Sequence, residues 1–360
     1  MKKIFCIFIL GIFTAFIQPI KAQICATPTP DKAVYIAPSK WSEIQAASDY
    51  LYVLRIFVHI LRNNDGTNAA TTPEQLKNDL LLMGSFFKPH NICFAFVGYD
   101  YMDNTTLNTA MNFSSTTHQN TILGFNRHTD AIDIYVHKGA TASGGYAYGI
   151  PTTAFSVVQS ANFNFYHEMG HALGLYHTFE TFQGAECPDG SNCNTAGDLI
   201  CDTAADFAGS QNSSIGCTYT GNMSTNCNGA TRTYNPPTTN IMSYWASCYA
   251  QFTAHQGTRM RYFISLATNA GGLFQNHLIS DNSSLSGFFG NPTNYTGEMR
   301  VAVKNEINVG SLNYPFNGNA NFTGNHNSVV NAGNKITLKP GTRVSPSSGK
   351  ITFKLNDICQ

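Results

Sequence analysis

The stretch from His167 to His177 reads H-E-M-G-H-A-L-G-L-Y-H, and it constrains the fold more than any other part of the chain. His167 and His171 stand four residues apart, so on a helix they project side by side from one face and can share one metal ion. Glu168 comes next round the helix from the first histidine. There it reaches a water at the metal but is badly placed to be a ligand, which is where a general base belongs. Gly174 lets the backbone enter the left-handed conformation that ends many helices. His177 then returns as a third ligand from beyond the helix. Three neutral imidazoles around a tetrahedral cation leave one position open, the arrangement of a catalytic zinc rather than a structural one.

Residues 1–22 combine Lys2 and Lys3, an apolar run from Ile4 to Ile17, Pro19 and a small residue at Ala22. They read as a secretory signal peptide cleaved after Ala22. Nothing later approaches the ~18 consecutive apolar residues of a membrane helix, so no membrane span is expected. Gln23 and Ile24 precede Cys25 where a lipid-anchored protein carries a run of small residues, which argues against a lipid anchor. The remaining length exceeds what one core usually holds and points to a large domain followed by a small one. Basic and acidic residues balance at 21 each, which leaves no electrostatic footprint for nucleic acid.

Of the 10 cysteines, Cys6 falls in the leader, and Cys187, Cys193, Cys201, Cys217, Cys227 and Cys248 crowd together after the histidine motif. In an oxidising compartment they read as disulfides stapling a loop-rich region. A thiolate zinc site is the competing reading, but C-x-x-C pairs are absent. An odd remainder leaves at least one thiol free.

Ahead of the motif, Tyr52 to Leu61 is rich in β-branched and aromatic residues and ends at Asn63-Asn64-Asp65-Gly66, a strand followed by a turn. Thr72-Pro73-Glu74 opens a helix with Leu76, Leu80 and Met83 on one face, expected to stop between Gly84 and Pro89. Residues 91–99 and 131–137 read as further strands, and Gly144-Gly145-Tyr146-Ala147-Tyr148 as either a sheet edge or an ordinary turn. The order implies an α/β domain with a twisted sheet. His59, His90, His118, His128 and His137 lack ligand spacing and read as surface or satisfied core histidines.

Beyond the motif, Asp198, Asp202, Thr203 and Asp206 lie in the oxygen-rich stretch G-D-L-I-C-D-T-A-A-D, which suits calcium or is simply a solvated acidic loop. Asn240-Ile241-Met242-Ser243-Tyr244 places a methionine where it can form an apolar floor under the imidazoles. Two residues on, a tyrosine can donate to an oxyanion.

Taken together, these residues resemble a metzincin metallopeptidase, and within that clan the pappalysin family with its ulilysin-like bacterial enzymes. The matching stretches are His167 to Phe179, Gly197 to Thr203, Asn240 to Tyr244, and Phe252-Thr253 with Gln256, Arg259 and Met260. Cys25-Ala26-Thr27 resembles a cysteine-bearing element of the family's pro-segment. The likeness implies zinc ligands at His167, His171 and His177, a general base at Glu168, a Met-turn at Met242, an oxyanion contact at Tyr244 and calcium at Asp198 and Thr203. It further implies the pairs Cys187–Cys227 and Cys217–Cys248, with Cys193–Cys201 as an additional bridge. Cys25 becomes a candidate latency switch, and a disulfide from Cys25 to Cys93 or Cys359 is the alternative.

The expected fold is therefore α/β: a metzincin-like catalytic domain with a twisted mixed sheet, a long zinc-binding helix and a disulfide-stapled C-terminal subdomain, followed by a small all-β module. Signal peptide, pro-segment, peptidase domain, and linker with β module are expected at 1–22, 23–45, 46–272 and 273–360. The implied function is a secreted zinc endopeptidase acting on proteins or peptides. Two readings compete: a gluzincin-like peptidase with Glu180 or Glu186 as third ligand, and a secreted adhesin or matrix protein using the fold as scaffold. One departure bears on specificity. Ulilysin-like enzymes that cut before basic residues carry acids soon after the Met-turn tyrosine, whereas Trp245-Ala246-Ser247-Cys248 follows here, and an apolar wall does not compensate a buried cation.

Overall fold

The computed structural model describes residues 25–28, 36, 51–159, 164–207, 214–215, 217–245, 248–266, 272–279, 299–303, 306–309, 328–332, 335–338 and 351–355. The expected signal peptide and most of the expected pro-segment lie outside them.

A strand of β-branched and aromatic residues, β1 (Tyr52–Arg62), forms the centre of the sheet. It pairs in parallel with β2 (Ile92–Asp103) on one side and β3 (Ile132–His137) on the other. Beyond β3, the strand β5 (Ala154–Val158) is also parallel, and the short β4 (Gly145–Ala147) closes this side in antiparallel pairing. On the far side the backbone of β10 (Met299–Val303) joins β2 at one antiparallel pair, Met299 opposite Gly98, and β12 (Ser328–Ala332) and β14 (Ile351–Leu355) follow in parallel. The expected all-β module thus contributes β12, β14 and β13 (Lys335–Leu338), the last paired with β11 (Glu306–Val309).

Period-two alternation divides β1 between two environments. Leu54, Ile56, Val58 and Ile60 face a core shared with Ile132, Ile134, Val136, Phe155 and Val157, and helices cover this face. The first, α1 (Pro73–Phe87), is capped by Thr72, whose side chain accepts from the Gln75 amide, and buries Leu76, Met83 and Phe87. It runs through Gly84 and ends at Phe87, between Gly84 and Pro89 as expected. A mid-helix glycine costs only about 1 kcal/mol, and the buried Phe87 anchors the last turn. Two short helices, α2 (Thr105–Thr109) and α3 (Thr116–Leu123), lie between β2 and β3.

The opposite face of β1 carries Arg55 and His59. His59 is fully buried, with Asp100 Oδ1 2.7 Å from Nδ1, Asp133 Oδ1 3.1 Å from Nε2 and the Tyr135 ring stacked on it at 4.5 Å. The loop after α3 covers it: His128 Nδ1 lies 2.7 Å from Asp133 Oδ1, and Asn126 donates to Asp100 at 2.8 Å. His137 is equally satisfied, between the Leu107 carbonyl at 2.7 Å and Ser156 Oγ at 3.0 Å.

Past β5 the chain forms α4 (Asn164–Ala172), the hairpins β6–β7 (Ser214–Ile215, Thr218–Tyr219) and β8–β9 (Ser224–Cys227, Ala230–Thr233), and α5 (Ala254–Ser265). Bridges Cys187–Cys227, Cys193–Cys201 and Cys217–Cys248 staple the segment between α4 and α5. Residues 272–279 return to β1: Phe274 enters the main core, and Arg55 and Ile279 donate to the His277 and Val53 carbonyls at 2.9 and 2.8 Å. Among the described residues no helix is long and apolar enough to cross a membrane.

Candidate active site

Helix α4 brings His167, Glu168 and His171 to one end of the sheet, and all three are fully buried. The helix ends where expected, since Gly174 takes φ +98° and its amide donates to the His171 carbonyl at 2.9 Å. A side chain there would also strike the Phe263 ring, so this turn tolerates only glycine. The turn carries His177 back until its Nε2 lies 3.3 Å from His167 Nε2 and 3.1 Å from His171 Nε2.

Each helical imidazole is oriented from behind. Nδ1 of His167 donates to the Ile241 carbonyl at 2.7 Å, and Nδ1 of His171 to the Leu175 carbonyl at 2.8 Å. A carbonyl only accepts, so both protons sit on Nδ1 and the Nε2 lone pairs face one another. Burial disfavours the charged forms, lowering His167 to about 4 and driving His171 and His177 well below the ordinary histidine range, with their neighbours' charge adding to the effect. Three unprotonated imidazoles converging at this spacing are a donor set that fits zinc.

Glu168 lies beside this cluster with Oε1 unpartnered, against Gly145 of the edge strand, where any Cβ would strike its carboxylate. Burial raises its pKa to about 8. Tyr244 places its hydroxyl 3.1 Å from His177 Nε2. Met242 is fully buried, with its sulfur against Gly170 of α4.

Residues that the sequence named without assigning them this bracing part hold the arrangement. Asn240 exchanges two hydrogen bonds with Gln256 of α5, at 2.9 and 3.1 Å, and also accepts from the Met242 amide at 2.8 Å. Asp206 accepts from Thr178 at 2.7 Å and Ser243 at 2.5 Å, tying the chain after His177 to the Met242 loop. Arg259 donates to the Gly174 carbonyl at 2.7 Å.

The acidic stretch divides into three. Asp202 accepts from Thr253 Oγ1 at 2.7 Å and the His255 amide at 2.8 Å at the start of α5, and Asp206 serves the loop just described. Only Asp198 and Thr203 meet, at 2.9 Å, and Glu186 joins them with a buried Oε2 that has no hydrogen-bond partner. Burial lifts Asp198 to about 7, while burial and then the charge of Asp198 lift Glu186 to about 8.

Neither carboxylate required by the gluzincin reading belongs to the histidine cluster: Glu186 feels the charge of Asp198 instead, and Glu180 Oε1 accepts from the Thr181 and Phe182 amides at 2.8 and 2.9 Å. The fourth member of that cluster is the Cys25 sulfur. Cys25 is a buried free thiol, so the expected alternative of a disulfide to Cys93 or Cys359 fails; Cys93 is disulfide-bonded, and Cys25 is not its partner.

Residues 132–265 match the family model described as pregnancy-associated plasma protein-A, a peptidase family. The chain carries a pappalysin-family metallopeptidase domain. An extracellular metalloprotease of Sordaria macrospora is 28% identical over 245 residues, spanning 60% of this chain and 76% of the relative. Another, from Colletotrichum graminicola, is 28% identical and spans 67% of this chain and 89% of the relative. Among solved structures, mature mirolysin of Tannerella forsythia in complex with a cleaved peptide aligns at a TM-score of 0.45 with 18% identity, covering 64% of this chain and 97% of that one. These matches make the chain a metalloendopeptidase, an enzyme class that acts on proteins.

Proposed function

We propose that this pappalysin is a secreted zinc endopeptidase made as a latent precursor. The observation that carries the reading is the convergence of three neutral imidazole nitrogens, 3.1–3.3 Å apart, beside a buried carboxylate. His167, His171 and His177 would hold the metal. Bound there, zinc would supply polarisation of the scissile carbonyl and acidification of the attacking water. Glu168 takes the water's proton and delivers it to the leaving amine, and a pKa of about 8 leaves it able to do both near neutrality. The Tyr244 hydroxyl donates to the developing oxyanion, and Met242 keeps an apolar floor beneath the helix. Extended peptide adds to the outer edge of β4 once residues 25–27 have left it. Cys25, in the same cluster as the three histidines, blocks the metal position until the pro-segment is removed.

The proposed organisation is a signal peptide over 1–22, a pro-segment over 23–45, a peptidase domain over 46–272 and a β module over 273–360. Names of relatives as extracellular metalloproteases and the three bridges support secretion. Casein or gelatin assays with a chelator test the zinc reading. Cleavage should cease on chelation and return with one zinc per chain; activity that persists without metal would refute it.

We further propose a structural calcium ion held by Asp198 and Thr203, with Glu186 as a third oxygen donor. Two buried carboxylates and an orphaned oxygen suit a hard cation. Calcium at 100-fold its Kd should add about 2.7 kcal/mol of stability, and Glu186→Gln should abolish that gain. Unfolding curves with and without calcium measure it, and coincident curves for the unmodified chain would exclude the ion.

A further inference from the structure

Residues 25–27 touch the site at more than the sulfur. The Thr27 hydroxyl donates to Glu168 Oε2 at 2.9 Å and accepts from the Ala147 amide at 2.8 Å. It also lies 3.0 Å from the Cys25 sulfur. One residue back, the Ala26 amide donates to the Gly145 carbonyl at 3.1 Å, and Cys25 bridges Gly145 in the parallel sense. The Cys25 carbonyl accepts from the Tyr244 hydroxyl at 2.9 Å. The segment therefore occupies an edge-strand acceptor, an edge-strand donor, the carboxylate and the tyrosine hydroxyl at once.

We propose that Thr27 is a second bolt of the latent state, a contact that occupies the general base and the β4 edge in addition to the thiol. This rests on the proposed reading of residues 25–28 as part of a pro-segment. The chemistry demands a hydroxyl. Thr27 uses its single proton on Glu168 and a lone pair on Ala147, so one small group satisfies a buried acceptor and a buried donor together. The Cys25 sulfur also interacts with Glu168, and Thr27 adds the hydroxyl contacts to Glu168 Oε2 and to the Ala147 amide. With Thr27 in place, a substrate must displace both contacts as well as the sulfur. Valine has the same shape but can make neither bond, so both of the hydroxyl's contacts are lost.

The test compares the full-length precursor with Thr27→Val, Thr27→Ser and Cys25→Ala. Two quantities are followed: the rate of self-conversion, by intact mass, and hydrogen exchange at the Ala147 amide. Once residues 25–28 are removed, all four yield the same enzyme, so any difference belongs to the precursor. Thr27→Val should convert at least about tenfold faster and lose Ala147 protection, the scale of one hydrogen bond to a charged group. Thr27→Ser should behave like the unmodified chain. If Thr27→Val converts at the unmodified rate with Ala147 still protected, the proposal is overturned. If Cys25→Ala changes nothing while Thr27→Val accelerates conversion, the thiol reading falls and the Thr27 bolt stands. Should both leave conversion unchanged, the latency reading and the bolt fall together. A measurement independent of precursor folding adds hexapeptides spanning residues 24–29 to the mature enzyme, with threonine or valine at position 27. Weaker inhibition by the valine peptide supports the bolt, and equal inhibition overturns it.

Discussion

Glu168→Gln should lower turnover of a protein substrate by about a thousandfold or more, within the range attributed to a positioned general base, while leaving the zinc content unchanged. Glutamine keeps the shape of the side chain and its place against Gly145, where added bulk has no room. It does not accept the water's proton. The three imidazoles are oriented by the Ile241 and Leu175 carbonyls and by the turn at Gly174, none of which involves Glu168, so metal binding should survive. Mature enzyme assayed on gelatin, with zinc measured on the same sample, separates the outcomes. Unimpaired cleavage would remove Glu168 from the chemistry, whereas loss of zinc together with activity would give it a structural part instead.

Asp133→Asn should destabilise the fold by about 3–5 kcal/mol, the scale of removing one partner from a buried ion pair. His59 has carboxylate oxygens at both ring nitrogens, at 2.7 and 3.1 Å, and carboxylates only accept, so the ring carries both protons. Burial opposes that charge, yet Asp100 and Asp133 outweigh it and hold the pKa at about 9. The sign follows from linkage. With the folded value above the unfolded value of about 6.5, the stabilisation is complete below about 6.5 and is lost as pH rises through about 9. It amounts to on the order of 3 kcal/mol at 1.36 kcal/mol per pH unit. Urea unfolding at pH 6, 8 and 10 should show an alkaline decline that Asp133→Asn flattens. An unchanged midpoint and the same decline in the variant would show that the network contributes nothing.

These two sites differ in how far they could be read before the structure was known. The spacing of His167, Glu168, His171, Gly174 and His177 is local, and helix periodicity together with one left-handed turn converts it directly into geometry. The strand over Tyr52–Arg62 and the helix opened by Thr72-Pro73 were legible for the same reason. His59 was not. Its partners stand 41 and 74 residues away, and only the parallel register of β1 with β2 and β3 brings Asp100 and Asp133 to its two sides. As an isolated histidine it carries no spacing signal. The acidic stretch from Asp198 to Asp206 shows the converse limit, since four polar residues that look alike in sequence serve three separate ends. Which of them meets Glu186, which starts α5 and which braces the Met242 loop depends on how α5 and the loop pack against α4.

By itself, then, the sequence determined the donor set for a metal, the carboxylate beside it and the helix that presents them, because their spacing over eleven residues matches the period of the backbone. Only the tertiary structure decided what stands around that helix: Gly145 against Glu168, Tyr244 beside His177, and Cys25 and Thr27 lying across the β4 edge. Thr27 and Glu168 are 141 residues apart. No local propensity encodes a contact of that span, and it exists only where strand pairing and core packing bring the two segments together.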